Sequence, residues 1–126
     1  MGGLKTFLAA FVVAFPVADV ARADENLIRT FASCAGRLSA EMEHQWLIGG
    51  QGAELTERRR SAMIAVLDAL TPIPRDPKIM NWRIEAKAAQ ASLLARSTFN
   101  DDPADADWAF NQAQTLVSAC NSLILG

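Results

Sequence analysis

The chain contains no tyrosine, one histidine and two cysteines in 126 residues. Strand-like alternation and runs of β-branched residues are missing as well. Each gap removes a class of answer. Without period-two patterning a β-sheet is not expected. One histidine and two cysteines do not make the usual four ligands of a zinc site. No serine sits in an elbow motif, and His44 is the sole histidine available as a base. Charge is also nearly balanced, with 12 basic and 14 acidic side chains and a formal net charge of -2. That balance gives no reason to expect nucleic acid or an anionic membrane surface as a partner.

What is present begins at the N-terminus, MGGLKTFLAAFVVAFPVADVARADENL. Lys5 is a short positive region, and Phe7 to Val17 is apolar apart from Pro16. Ala21-Arg22-Ala23 places small residues where a signal peptidase reads them, so residues 1–23 are expected to be a cleaved secretory signal. The apolar run is far short of the roughly 20 residues that span a bilayer, so no stable membrane anchor is expected after cleavage. The mature chain would start at Asp24 and form one domain over residues 24–126, in the periplasm or outside the cell. Removing Lys5, Arg22 and Asp19 leaves ten basic and thirteen acidic side chains in it.

Cys34 and Cys120 both fall in that domain. An even cysteine count in an exported chain points to a disulfide, and two cysteines allow one intramolecular pairing.

Three breaks divide the domain: the glycines of GGQG (49–52), the prolines of TPIPRDP (71–77) and the polar NDDP (100–103). Four segments of helical periodicity remain. The first, about 24–48, aligns Leu27, Phe31, Cys34, Ala35, Leu38 and Met42, with Ile28 and Trp46 at the edge. The second, about 54–70, aligns Leu55, Ala62, Met63, Val66 and Leu70. The third opens at Asp76-Pro77 and aligns Met80, Ile84, Ala88, Ala91, Leu94 and Ala95. The fourth opens at Asp102-Pro103 and aligns Ala106, Phe110, Ala113, Val117, Cys120 and Ile124. Asp before Pro is an N-cap followed by proline at the first helical position. Short loops between such helices predict an all-α, up-down-up-down four-helix bundle. Helices one and four then run antiparallel, which brings Cys34 and Cys120 to the same level on facing apolar stripes. The disulfide is expected to join those two helices.

Chemistry-bearing motifs are few. Glu41-x-x-His44 has the spacing of a di-iron bundle ligand pair, but that centre needs a second such pair. With His44 on the solvent side and Glu41 on the flank, a surface helical pair is expected. In length, location and helix number the mature chain is similar to the periplasmic b-type cytochromes, which hold haem through one His and one Met. That resemblance makes a ligand or cofactor carrier, of haem or a small molecule between the helices, the alternative function. Against it, His44 points outward, and Cys120-Asn121-Ser122-Leu123 lacks the C-x-x-C-H of the c-type relatives. No cofactor, metal or catalytic residue is therefore expected. The aspartates of DDPADAD (101–107) have no calcium-loop spacing and read as helix-start carboxylates. Arg58-Arg59-Arg60 fans around its helix, with Glu54 and Glu57 in reach of Arg58 and Arg60.

The tryptophans stand out. Trp82 and Trp108 lie opposite the apolar stripes of their helices, and Trp46 lies at the edge of its own. Tryptophan is enriched at interfaces. The expected function is a non-enzymatic, protein-binding accessory module, its interaction surface drawn from Trp46, Trp82 and Trp108. The partner would be another protein or a second copy of the chain.

Overall fold

The computed structural model describes residues 2–3, 11–13, 17–71 and 76–125. Four helices account for nearly all of them: α1 (Val17–Leu47), α2 (Ala53–Leu70), α3 (Pro77–Thr98) and α4 (Pro103–Leu125). Of the expected signal segment, only residues 2–3, 11–13 and the helical backbone of 17–23 are described, and residues 72–75 of the proline-rich break also lie outside.

The helix ends follow from local chemistry. After α1, Gly49 takes the left-handed conformation at φ 65°. Its N–H bonds back to Trp46 O at 3.3 Å, and that of Gly50 to Gln45 O at 2.9 Å. This paired pattern is a Schellman stop, and the positive φ is why a glycine stands there. At the start of α3, Asp76 Oδ1 accepts from the Lys78 N–H at 2.9 Å, with Pro77 behind it. At the start of α4, Asp102 Oδ1 accepts from Ala104 N–H at 3.0 Å. Both Asp-Pro openings thus form the caps that their residues predict.

The helices alternate in direction as expected, but one consecutive pair, α2 and α3, is not in contact. α1 packs on both α2 and α3, α3 packs on α4, and α4 touches α1 and α2 more lightly; α2 and α3 do not touch. α3 runs parallel to α1. Ion pairs join Glu25 to Lys78 and Glu43 to Lys87, and His44 meets Thr98, in the same order along both helices. The middle of α1 is therefore surrounded. From Phe31 to Met42 no residue is exposed.

This burial revises the helical faces. On α3 the buried residues are Ala86, Gln90 and Leu94, whereas Met80 and Ile84 are exposed. Trp82, expected to point away, packs partly buried against the main core cluster. On α2, Thr56, Met63 and Leu67 are buried, while Leu55 and Val66 are exposed. Leu27 and Phe110 are exposed too. The cause is on α1. Its small residues Ala32, Ala35, Gly36, Ser39 and Ala40 are buried and let neighbouring backbones come close. The faces that meet it are accordingly poorer in large apolar side chains than hydropathy alone suggests.

The core cluster joins Phe31, Cys34, Ala35 and Leu38 of α1 to Met63 and Leu67 of α2 and to Val117 and Cys120 of α4. Leu38 and Met63 are fully buried. The Cys34–Cys120 disulfide ties α1 to α4 here, with Cα atoms 5.5 Å apart. That spacing lies within the usual range for a disulfide.

Candidate functional site

The motif that looked most like chemistry comes apart in three dimensions. Glu41 is buried at 8 % exposure rather than lying on a flank. His44 turns away to α3, where its Nε2 is 2.9 Å from Thr98 Oγ1 and its ring meets the Phe99 ring edge-on at 6.4 Å. Among the described residues, no group of three or more His, Cys, Asp or Glu side chains is placed to hold a metal ion.

Glu41 instead faces a buried polar spot. Gln90, at 1 % exposure, gives its Nε2–H to Ala113 O on α4 at 3.2 Å. Gln90 Oε1 and Glu41 Oε2 are both buried without a hydrogen-bond partner. Burial raises the Glu41 carboxyl above its ordinary value, and the Gln90 amide and His44 only partly offset this. The folded state then holds the proton more tightly than the unfolded chain does. This stabilisation is fully present below the unfolded glutamate pKa of about 4.3 and is lost as pH rises through the raised native value. Glu41→Gln should flatten that dependence. It should also add stability at neutral pH, because the amide keeps the size of the side chain and brings no charge into the buried spot. Denaturation midpoints of both proteins between pH 4 and 8 check this. A wild-type midpoint that does not fall across that range would contradict it.

The more exposed feature is one end of the bundle, where α1 and α3 finish and α2 and α4 begin. Trp46-Leu47-Ile48 closes α1, Phe99 follows α3, and Trp108 lies in the first turns of α4. Trp46 is 58 % exposed, Phe99 66 % and Trp108 51 %. Trp108 is held in place from outside. Arg96 lies 5.1 Å above its ring, and the same guanidinium donates to Asp105 at 2.6 and 3.3 Å. Those hydrogen bonds from Arg96 hold the Asp105 carboxyl below its usual range, helped by the charge of Arg96 and by the Asn100 amide. Asp101, Asp102 and Asp107 lie nearby in sequence, so this end carries carboxylates around its aromatic side chains.

Trp82 belongs elsewhere. It sits at the start of α3 in a cleft with Ile28 and Ile79, at the opposite end of the bundle. Arg29 and Lys78 lie over its ring at 5.6 and 5.1 Å. The three tryptophans therefore do not form one surface. Trp46 and Trp108 share an end, and Trp82 is tucked beneath charged side chains at the other.

No protein-family model, curated protein or solved structure matches the chain. The site is thus defined by its own residues. Leu47, Ile48 and Phe99 were not singled out from sequence. A signal for the first two was present: three consecutive apolar residues at a helix end cannot all face one core, because successive residues differ by about 100°. Phe99 carried no such signal, since it lies just past the helix where periodicity no longer applies.

Proposed function

We propose that this protein is an exported, disulfide-bonded accessory module that binds a partner protein through the aromatic end of its bundle. One observation carries the reading: Trp46, Phe99 and Trp108 are all at least half exposed at a single end. Tryptophan backed by arginine is the composition of interface hot spots. The aspartates around them favour a partner surface that is apolar at its centre and basic at its rim. Export is supported by the signal-like residues 1–23 and by the disulfide.

Photo-crosslinkers placed singly at Trp46, Trp108 and Ser118, in the chain expressed with its own N-terminus, test the interface. A single protein or a second copy should be captured from Trp46 and Trp108 and not from Ser118, which lies far along α4. Against that partner once purified, Trp46→Ala with Trp108→Ala should weaken binding at least thirtyfold, the loss of one hot spot of about 2 kcal/mol. Equal capture at all three sites, or unchanged affinity of the double variant, would remove the support for this reading. The mass of the recovered chain tests export separately. It should begin at Asp24 and be two hydrogens light.

A further inference from the structure

The separation of α2 from α3 leaves a groove on the side of the bundle, away from the aromatic end. Its floor is Gly36 and Ser39 of α1, and its volume is about 200 Å³. Arg60 of α2 forms one wall, and Arg83 with Lys87 of α3 the other. No carboxylate lines it. Lys87 is engaged by Glu43 at 2.6 Å. Neither Arg60 nor Arg83 has a carboxylate oxygen within 4 Å among the described residues, although Glu57 stands one turn before Arg60. Two guanidiniums thus share one small concavity with no neutralising partner among the described residues.

The groove also holds Arg60 in place. Ser39 is buried, and its hydroxyl donates to Ala35 O at 2.8 Å. Its oxygen is then free to accept, and it does so from Arg60 Nε at 2.6 Å. This spends the Nε–H on the protein and leaves the two terminal nitrogens available as a fork. A fixed guanidinium loses less freedom on binding than a mobile one. Beyond the cations, Met80 and Ile84 add an exposed apolar strip along the α3 wall.

We infer that this groove binds a small organic oxyanion, its carboxylate or phosphate head between Arg60 and Arg83 and a short apolar tail along Met80 and Ile84. Paired guanidinium donors suit both head groups by the same forked geometry. Size limits the ligand. The groove is small enough to take a head group with a short tail, and any longer tail emerges into solvent. The site is distinct from the aromatic end and does not depend on its partner.

The test is a titration of the oxidised, isotope-labelled full chain with butyl phosphate, hexanoate, inorganic phosphate and butanol, followed by amide chemical shifts. Butyl phosphate or hexanoate should shift Gly36, Ser39 and Lys87 in a saturable way, and which of the two binds more tightly identifies the head group. Inorganic phosphate should bind more weakly for want of a tail, and butanol should not bind. Arg60→Gln and Arg83→Gln should each weaken the better ligand at least tenfold. Arg58→Gln, which removes a neighbouring arginine outside the groove, should leave its affinity unchanged. Ser39→Ala should cost less than Arg60→Gln, because it frees the guanidinium without removing it. Shifts spread over every basic residue, equal losses in all three arginine variants, or no saturable shift in the groove with any of these anions would each overturn the inference.

Discussion

Cys34→Ala together with Cys120→Ala should cost the bundle up to about 4–5 kcal/mol of stability, the loop-closure value for so long a loop. The cysteines are 86 positions apart. A domain of this size holds only about 5–15 kcal/mol in total, so the loss is a large part of the whole. The architecture decides where that loss is felt. α4 rests mainly on α3, where Gln90 reaches Ala113 and Arg96 reaches Asp105, both in the first half of α4. Its second half reaches α1 and α2 through lighter packing around Val117 and Cys120. Without the disulfide, that second half should loosen first. The guanidinium midpoint is expected to fall by about 1 M. Amide exchange should accelerate from Val117 to Leu125 before it does from Ala104 to Ala113. An unchanged midpoint would mean that α4 is secured by packing and that the bond is incidental to stability. Because both sulfurs are buried, a reductant should act slowly on the folded protein and quickly once it is unfolded.

Those cysteines also show where the fold was legible. Their positions in α1 and α4, together with the two Asp-Pro caps and the Gly49 stop, sufficed for helix number, alternating direction and the helix limits apart from the start of α1, which lies at Val17 and not near Asp24. Each is a local rule with a local cause. The faces of α2 and α3 were not legible, because the residues that decide them are not apolar. Gln90 enters the interior by giving its amide to a backbone carbonyl of α4, and Thr56 is buried in the first turn of α2. A pattern scored by hydropathy assigns both to solvent, and so places Met80, Ile84 and Val66 inside instead. The same limit hid the groove. Its cations come from two helices that are consecutive in the chain yet held apart in space, and only the position of α1 between them brings Arg60 and Arg83 together. The aromatic end was half legible. Trp46 and Trp108 were identified one by one, but their common end is a property of the topology, as is the exclusion of Trp82 from it.

The placement of α1 rests on Gly36, and Gly36→Ala separates two physical effects of opposite sign. Helix propensity alone predicts a gain, since alanine is better than glycine in a helix interior by about 0.8–1.0 kcal/mol. Packing predicts a loss. A Cβ on Gly36 would lie 2.1 Å from Arg83 O and 3.0 Å from both Arg83 C and Lys87 N. All three are backbone atoms of α3, so no rotamer change can relieve the contact and the helices must move apart. Overpacking in a core commonly costs about 1–3 kcal/mol, and this clash with rigid backbone belongs at or above the top of that range. The net expectation is a destabilisation of about 2–3 kcal/mol or more once the propensity gain is subtracted. Gly50→Ala is the matched control. Its added Cβ finds nothing closer than 3.5 Å, so its stability should change little. If Gly36→Ala were the more stable protein, the close approach of α1 to α3 would be wrong. The consecutive pairing of α2 with α3 would then have to be reconsidered. A loss of the expected size would establish that the small residues of α1 draw α3 in beside it, which is also what opens the groove between α2 and α3.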